Sequence, residues 1–125
     1  MKNRILNNYL SFDGKEKKVV RDLLMPLNID FYEITRETKI IAFTSITDTQ
    51  RVIVLNSKMV STEGDKLFIL SYMAADYIIN GRNDYTYVFK ISEIDTNVYK
   101  LARKIYERRL TYSNINTEGL KKILN

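Results

Sequence analysis

The chain has 125 residues, of which 45% are hydrophobic and 28% charged, and its net charge is +5. It contains no cysteine and no histidine. Their absence excludes disulfides, zinc sites built on thiolate or imidazole, and every catalytic arrangement that needs a histidine. The length fits one domain, so we treat residues 1–125 as a single domain in which residues 1–13 are a candidate flexible segment.

The start of the chain and the length of its apolar stretches indicate whether the protein is secreted or inserted in a membrane. Residues 1–18 are basic and then polar, without the apolar run of a secretory signal. Every apolar stretch is interrupted well before the roughly 20 residues that a membrane span needs. We therefore expect a soluble, cytoplasmic protein that does not bind membranes.

The first predicted element is a helix over Gly14–Leu27, where the sequence turns from polar to apolar at helical spacing. Asp13 is a candidate N-cap. Pro26 lacks an N–H and disfavours helix in the residue before it. We therefore expect this helix to end or kink at Pro26.

Three segments rich in β-branched and aromatic residues follow, and they predict strands over Ile29–Thr35, Lys39–Ile46 and Arg51–Asn56. The joints between them are short and polar, which favours antiparallel hairpins. A fourth short strand is expected within Asp84–Ile91.

The segment "KLFILSYMAADYIING", Lys66–Gly81, predicts a buried central helix. Ser61 or Thr62 can cap its start, and Asn80 with Gly81 closes its end.

The stretch Ser92–Leu110 predicts a long amphipathic helix, with Ser92 as N-cap and Asp95 at the third position. Asn116 or Thr117 would cap a short last helix. The buried face of the long helix is predicted to consist of Ile94, Val98, Leu101, Ala102, Ile105 and Tyr106.

This order of elements predicts an α+β fold. We expect a small antiparallel sheet of three to four strands, packed on the buried central helix and flanked by N-terminal and C-terminal helices. One proline and four glycines argue against a sandwich or barrel with many turns.

The central segments resemble the ImmA/IrrE family of zincin-type metallopeptidases from bacteria, phages and mobile elements. The family's strand ending "I-x-L-N" is similar to "VIVLN" at Val52–Asn56, and its zinc-binding helix is similar to "LFILSYMAADYII" at Leu67–Ile79. Its next helix, "E-A-N-x-F-A-A-x-L-L", is similar to "DTNVYKLARKI" at Asp95–Ile105. The resemblance covers Asn28–Ile105 and implies a degenerate zincin-like fold.

The departures from the family fall where its chemistry lies. An H-E-x-x-H helix places two zinc-binding histidines on one face, with a glutamate that activates water. Here Tyr72 and Asp76 occupy the two histidine positions, and Met73 occupies the glutamate position. We therefore expect no metal, no cofactor and no enzymatic activity.

A retained cleft could instead bind a partner protein through its aromatic, thioether and carboxylate groups. The candidate partner-binding residues are Tyr72, Met73, Asp76, Asp95, Tyr85 and Tyr87. The alternatives are that these side chains simply fill the core, or that Asp76 with Glu93 or Asp95 holds magnesium or calcium. A buried Asp76 would need a polar partner or an opening onto a groove, because an unpaired buried carboxylate is costly.

The long helix also carries a basic stripe. It consists of Lys100, Arg103, Lys104, Arg108 and Arg109. The stripe is either a solvated helix face or a surface that docks on acidic protein or on nucleic-acid phosphate.

Two functions follow from these observations. The first is a non-catalytic protein of phage or mobile-element type that binds and inhibits or regulates a protein partner. Such a partner would be a repressor or a host defence protein such as a CRISPR nuclease. The second is a nucleic-acid-associated protein that binds through the basic helix. A homo-oligomer is compatible with both.

Overall fold

The structure is a computed structural model that describes residues 14–108, and side chains from residue 18 onward. The expected flexible segment 1–13, the N-cap Asp13, the last helix after Asn116, and Arg109 all lie outside the described residues. Residues 14–108 form a four-stranded sheet, three α-helices and two short 3₁₀ turns, which confirms the α+β class. The elements are α1 (Gly14–Leu24), a 3₁₀ turn (Met25–Leu27), β1 (Asp30–Ile34), β2 (Ala42–Ile46), β3 (Arg51–Asn56), α2 (Glu63–Asn80), β4 (Tyr85–Val88), a second 3₁₀ turn (Ile91–Glu93) and α3 (Thr96–Arg108).

The first helix ends as the sequence predicts. α1 stops at Leu24, and Pro26 lies in the 3₁₀ turn that follows. Asn28 then adopts a left-handed conformation with φ 58°, and the Arg51 guanidinium donates hydrogen bonds to the carbonyl oxygens of Leu27 (2.7 Å) and Asn28 (3.1 Å). These bonds satisfy carbonyl groups that the helix end would otherwise leave unpaired.

The sheet has the strand order β1-β3-β2-β4 and is mixed. β2 pairs with β3 and with β4 antiparallel, as predicted. β1 pairs parallel with β3, so the prediction of a hairpin between the first two strands is wrong. Because β3 lies between β1 and β2, the chain has to cross over the end of β3.

The Asn56 side chain holds this crossing connection in place. Its amide nitrogen donates to the carbonyl oxygens of Arg36 and Ile40, both at 3.1 Å. Its amide oxygen accepts from the Arg36 N–H at 3.1 Å. The side chain of the last residue of β3 therefore fixes the connection between β1 and β2, as a tight turn fixes the connection in a hairpin.

α2 is the central helix and is buried along most of its length. The Thr62 hydroxyl accepts from the Asp65 N–H (3.2 Å), which identifies Thr62 as the N-cap of α2. The Gly81 N–H donates to the Tyr77 carbonyl at the other end. A Cβ at Gly81 would lie 2.3 Å from that oxygen, so glycine is required there by close approach.

α3 begins three residues later than the sequence predicts, at Thr96 instead of directly after Ser92. The Asp95 carboxylate accepts from the N–H groups of Asn97 (2.8 Å) and Val98 (3.1 Å), and so provides the cap itself. The predicted inner face is confirmed for Val98, Leu101, Ala102 and Ile105, which are buried. Tyr106 is half-buried, and Ile94 is 38% exposed, so the prediction that Ile94 is buried is wrong.

None of the helices within residues 14–108 combines the length and the apolar character that a bilayer span requires.

Candidate functional site

Tyr72 and Met73, the first two predicted partner-binding residues, lie in the core. Their side chains are 1% and 0% exposed. They pack among the apolar side chains that join α2 to the sheet and to α3. A partner cannot reach either side chain in this structure, which agrees with the alternative that they fill the core.

Tyr72 also anchors the start of α3 to α2. Its hydroxyl oxygen accepts a hydrogen bond from the Asp95 N–H at 2.9 Å. Its ring lies edge-on to Phe89, with centroids 5.3 Å apart. Tyr72 therefore has a structural role in this fold.

Asp76 is 5% exposed, so its side chain is largely buried. One carboxylate oxygen accepts from the Asn80 side-chain amide at 3.0 Å, while the other has no hydrogen-bond partner among the described residues. Burial raises the pKa of Asp76 above its usual value, and the charge of Asp95 adds to this rise, while the hydrogen bond from Asn80 opposes it. The polar partner that the sequence requires for Asp76 is thus an amide one turn further along α2.

Tyr85 and Tyr87 point inward from β4, on the side that faces α2. The Tyr85 ring lies 5.8 Å from the Tyr77 ring, and the Tyr87 ring lies 6.3 Å from the Tyr72 ring. Burial, above all, raises the pKa of Tyr87, and contacts with Tyr72 and the negative charge of Asp76 raise it further. The structure therefore brings most of the predicted residues together, but as a buried cluster between α2 and β4.

The carboxylates of the described residues do not form a metal centre. Within residues 14–108, no group of three or more acidic side chains lies close enough together to hold an ion. Asp95, which was a candidate ligand beside Asp76, uses its carboxylate to cap α3.

The basic stripe lies along the outer side of α3. Lys100, Arg103 and Arg108 are exposed, and Lys104 is half-buried. Arg103 is already engaged, because its guanidinium forms an ion pair with Glu107 at 2.8 Å and lies 5.9 Å from the centre of the Tyr99 ring. The stripe therefore carries less free positive charge than its sequence suggests.

A partly buried polar cluster joins the end of β1 to the start of α2. Lys66 and Glu33 form an ion pair at 3.3 Å, with side chains 11% and 14% exposed. The Ser57 hydroxyl donates to the same Glu33 oxygen. This cluster fixes the first turns of α2 against the sheet.

An apolar groove of about 490 Å³ lies at the end of the sheet where β2 begins and β3 and β4 end. Its floor is formed by Val60, Ile69 and Phe89, which are buried. Sequence reasoning missed this feature. The remaining residues of the groove are Ile41, Met59, Ser61, Asp65, Phe68, Ile91, Ile94 and Tyr99.

Exposed apolar side chains concentrate at the rim of this groove. Met59, Ile91, Ile94 and Tyr99 line it, and their exposed fractions are 46%, 71%, 38% and 38%. Elsewhere in residues 18–108 the large exposed apolar side chains are Met25, Ile40 and Val88. Because single exposed apolar residues are common but a cluster around a groove is not, the groove is the better candidate for a binding surface.

The sequence feature that could have indicated the groove is the pair of isoleucines, Ile91 and Ile94, in "KISEID". Ile91 was assigned to the end of a strand, and Ile94 to the buried face of a helix. Both belong to the 3₁₀ turn and the extended residues before α3, where the chain presents them outward.

Comparisons of this chain with protein-family models, with curated proteins and with solved structures find no match. The resemblance to the ImmA/IrrE family therefore depends on the quoted residues alone. The candidate site is defined by its geometry, which singles out the apolar groove.

Proposed function

We propose that this chain is a non-catalytic binding protein that holds an apolar segment of a partner protein in the apolar groove. The observation that carries the proposal is the groove itself, with four large apolar side chains left exposed at its rim. Its volume of about 490 Å³ falls within the range typical of ligand pockets. Covering these side chains would release apolar surface from water, which is the main favourable contribution to protein association.

The chemistry of the groove supports binding over catalysis. The lining residues with polar side-chain groups are Ser61, Asp65 and Tyr99. An activated nucleophile needs an adjacent general base, most often a histidine. The chain contains no histidine and no cysteine, so we assign the groove to recognition.

On the ImmA/IrrE-like interpretation, the chain is a peptidase scaffold whose zinc-binding positions now carry core side chains. It would belong to a phage or mobile element and act in the cytoplasm, by stoichiometric binding to a repressor or to a host defence protein such as a CRISPR nuclease. Support for this part of the proposal is the set of matched segments and the burial of Tyr72 and Met73.

The test compares two variants with equivalent chemistry at different places. Ile91→Asp puts a charge at the rim of the groove, where the native side chain is 71% exposed. Met25→Asp introduces the same charge in place of an apolar side chain that is 57% exposed and lies outside the groove. The immobilised wild type and Met25→Asp should retain the same stoichiometric partner from a bacterial lysate, and Ile91→Asp should lose it. Equal retention by all three proteins, or no partner at all, would contradict the proposal.

The second candidate function is nucleic-acid binding, which the exposed Lys100 and Arg108 on α3 favour. Electrostatic binding of this kind weakens steeply with added salt. Gel-shift titrations at several salt concentrations should then show binding that the double variant Lys104→Glu, Arg108→Glu abolishes. If the wild type does not shift duplex or single strands at low salt, this candidate is wrong.

A further inference from the structure

The apolar groove has one charged side chain in its lining, Asp65. Asp65 is exposed in the first turn of α2 and makes no ion pair with another described residue. Its contribution to the helix cap is its backbone N–H, which donates to Thr62. The carboxylate is therefore available at the groove.

Charges of both signs lie in the sequence around the groove, in a chain whose net charge is +5. Glu93 and Asp95 flank the rim residue Ile94 in sequence, and both are exposed. Lys90 is the basic residue on the same segment, and it already lies 3.9 Å from Glu93. Lys58, next to Met59, pairs with Glu37 at 3.1 Å.

A ligand that fits this groove must satisfy both features. Its apolar groups would cover the rim, and a positive group would meet Asp65. An acidic ligand would bring like charges together in a site that is partly shielded from water, which is unfavourable.

We propose that the occupant of the groove is an apolar segment of another protein that carries a lysine or arginine placed to pair with Asp65. This inference rests on the proposed function, and it adds the charge of the partner segment to it. The apolar contacts supply most of the affinity, while the ion pair selects among apolar segments.

The experiment begins with a random-peptide display library, panned on the wild type and counter-selected on Ile91→Asp. Peptides that depend on the groove should be apolar and enriched in lysine or arginine. One such peptide is then synthesised in three forms, with its basic residue kept or replaced by glutamine or glutamate. Binding of each form is measured by fluorescence anisotropy.

The matched protein variants are Asp65→Asn, Asp65→Lys and Asp48→Asn. Asp48 lies in the turn between β2 and β3, at the opposite end of β2 from the groove. Asp65→Asn should weaken the basic peptide by about two- to fivefold, the range for an exposed ion pair, and should leave the glutamine peptide unchanged. Asp65→Lys should reverse the preference toward the glutamate peptide, while Asp48→Asn should change nothing.

The outcomes separate the two proposals. Groove-dependent peptides without charge preference, or equal affinities for Asp65→Asn and wild type, would overturn the inference and leave the proposed function standing. A library that yields no peptide sensitive to Ile91→Asp would overturn both. Sedimentation experiments show whether the wild type forms a dimer. A dimer that the Ile91→Asp substitution abolishes would identify a second copy of the chain as the occupant, and would also overturn the inference.

Discussion

Replacing Asp76 by asparagine should stabilise this protein at neutral pH. The Asp76 carboxylate is 5% exposed and keeps one hydrogen bond, from Asn80. Its second oxygen has no partner among the described residues. Asparagine has nearly the same shape, retains an oxygen for the Asn80 amide and removes the buried charge.

The size of the effect follows from the cost of that charge. A buried polar group without a partner costs about 1–3 kcal/mol, and more when it is charged. Because Asp76 keeps one hydrogen bond, we expect Asp76→Asn to raise the free energy of unfolding by about 1–2 kcal/mol at pH 7. A change of 1 kcal/mol corresponds to about 4 °C in Tm for a domain of this size.

The gain should depend on pH with a definite sign. The pKa of Asp76 in the folded state is raised above its ordinary value of 3.8, so the folded protein holds this proton more tightly than the unfolded chain. The stability that the proton provides is fully present below pH 3.8 and is lost as the pH rises through the folded pKa. The difference between Asp76→Asn and wild type should therefore be smallest in acid and grow toward neutral pH.

Urea unfolding followed by circular dichroism between pH 4 and pH 8 measures this difference. Asp48→Asn is the control, since Asp48 is exposed in a turn and its replacement should stay within about 0.5 kcal/mol at every pH. If Asp76→Asn destabilises the protein at pH 7, or if its effect does not change with pH, the Asp76 carboxylate is stabilised by a partner and the reasoning is wrong.

Three further substitutions test the fold and the groove. Tyr72→Phe removes the acceptor of the Asp95 N–H and should cost about 1–3 kcal/mol in urea unfolding; no loss would mean that this bond does not hold α3. Gly81→Ala brings a Cβ to 2.3 Å from the Tyr77 carbonyl oxygen and should lower Tm by several degrees, and an unchanged Tm would show that the end of α2 adjusts freely. Ile91→Ser, at a side chain 71% exposed, should stay within about 0.5 kcal/mol of wild type while abolishing partner binding; a large loss of stability would place Ile91 in the core.

The elements of the fold could be predicted well where local signals act alone. β3 runs over Arg51–Asn56, as its apolar pattern indicates. α2 begins after Thr62, one of the two proposed caps, because a single hydroxyl placed before an apolar helix is a local signal. Pro26 ends the first helix for an equally local reason.

Strand pairing could not be predicted, because the apolar pattern does not say which strands are neighbours. The short polar joint after β1 looked like a hairpin turn, yet β1 pairs parallel with β3. The Asn56 amide holds the connection between β1 and β2 through hydrogen bonds to residues 16 and 20 positions away in the chain. Such long-range hydrogen bonds leave no mark in a local pattern.

The burial of the predicted partner-binding residues could not be predicted for a related reason. Tyr72, Met73 and Asp76 were selected from a resemblance, which gave their spacing along the helix but not their burial. Ile94 was assigned to the core because it has helical spacing to Val98, but α3 starts after it and leaves it at the rim of the groove. Exposure depends on where a helix begins, and here the Asp95 carboxylate caps α3 in place of the predicted Ser92.

The structure separates the cluster that the resemblance highlights from the surface that is available to a partner. A catalytic zinc site keeps an open position that water and substrate can reach. Here the corresponding residues are sealed, since Tyr72 receives a hydrogen bond from the backbone of Asp95 and packs on Phe89. Phe89 is also part of the groove floor, so the Tyr72 ring supports the groove from below. The buried cluster around Tyr72 and the apolar groove therefore meet at Phe89.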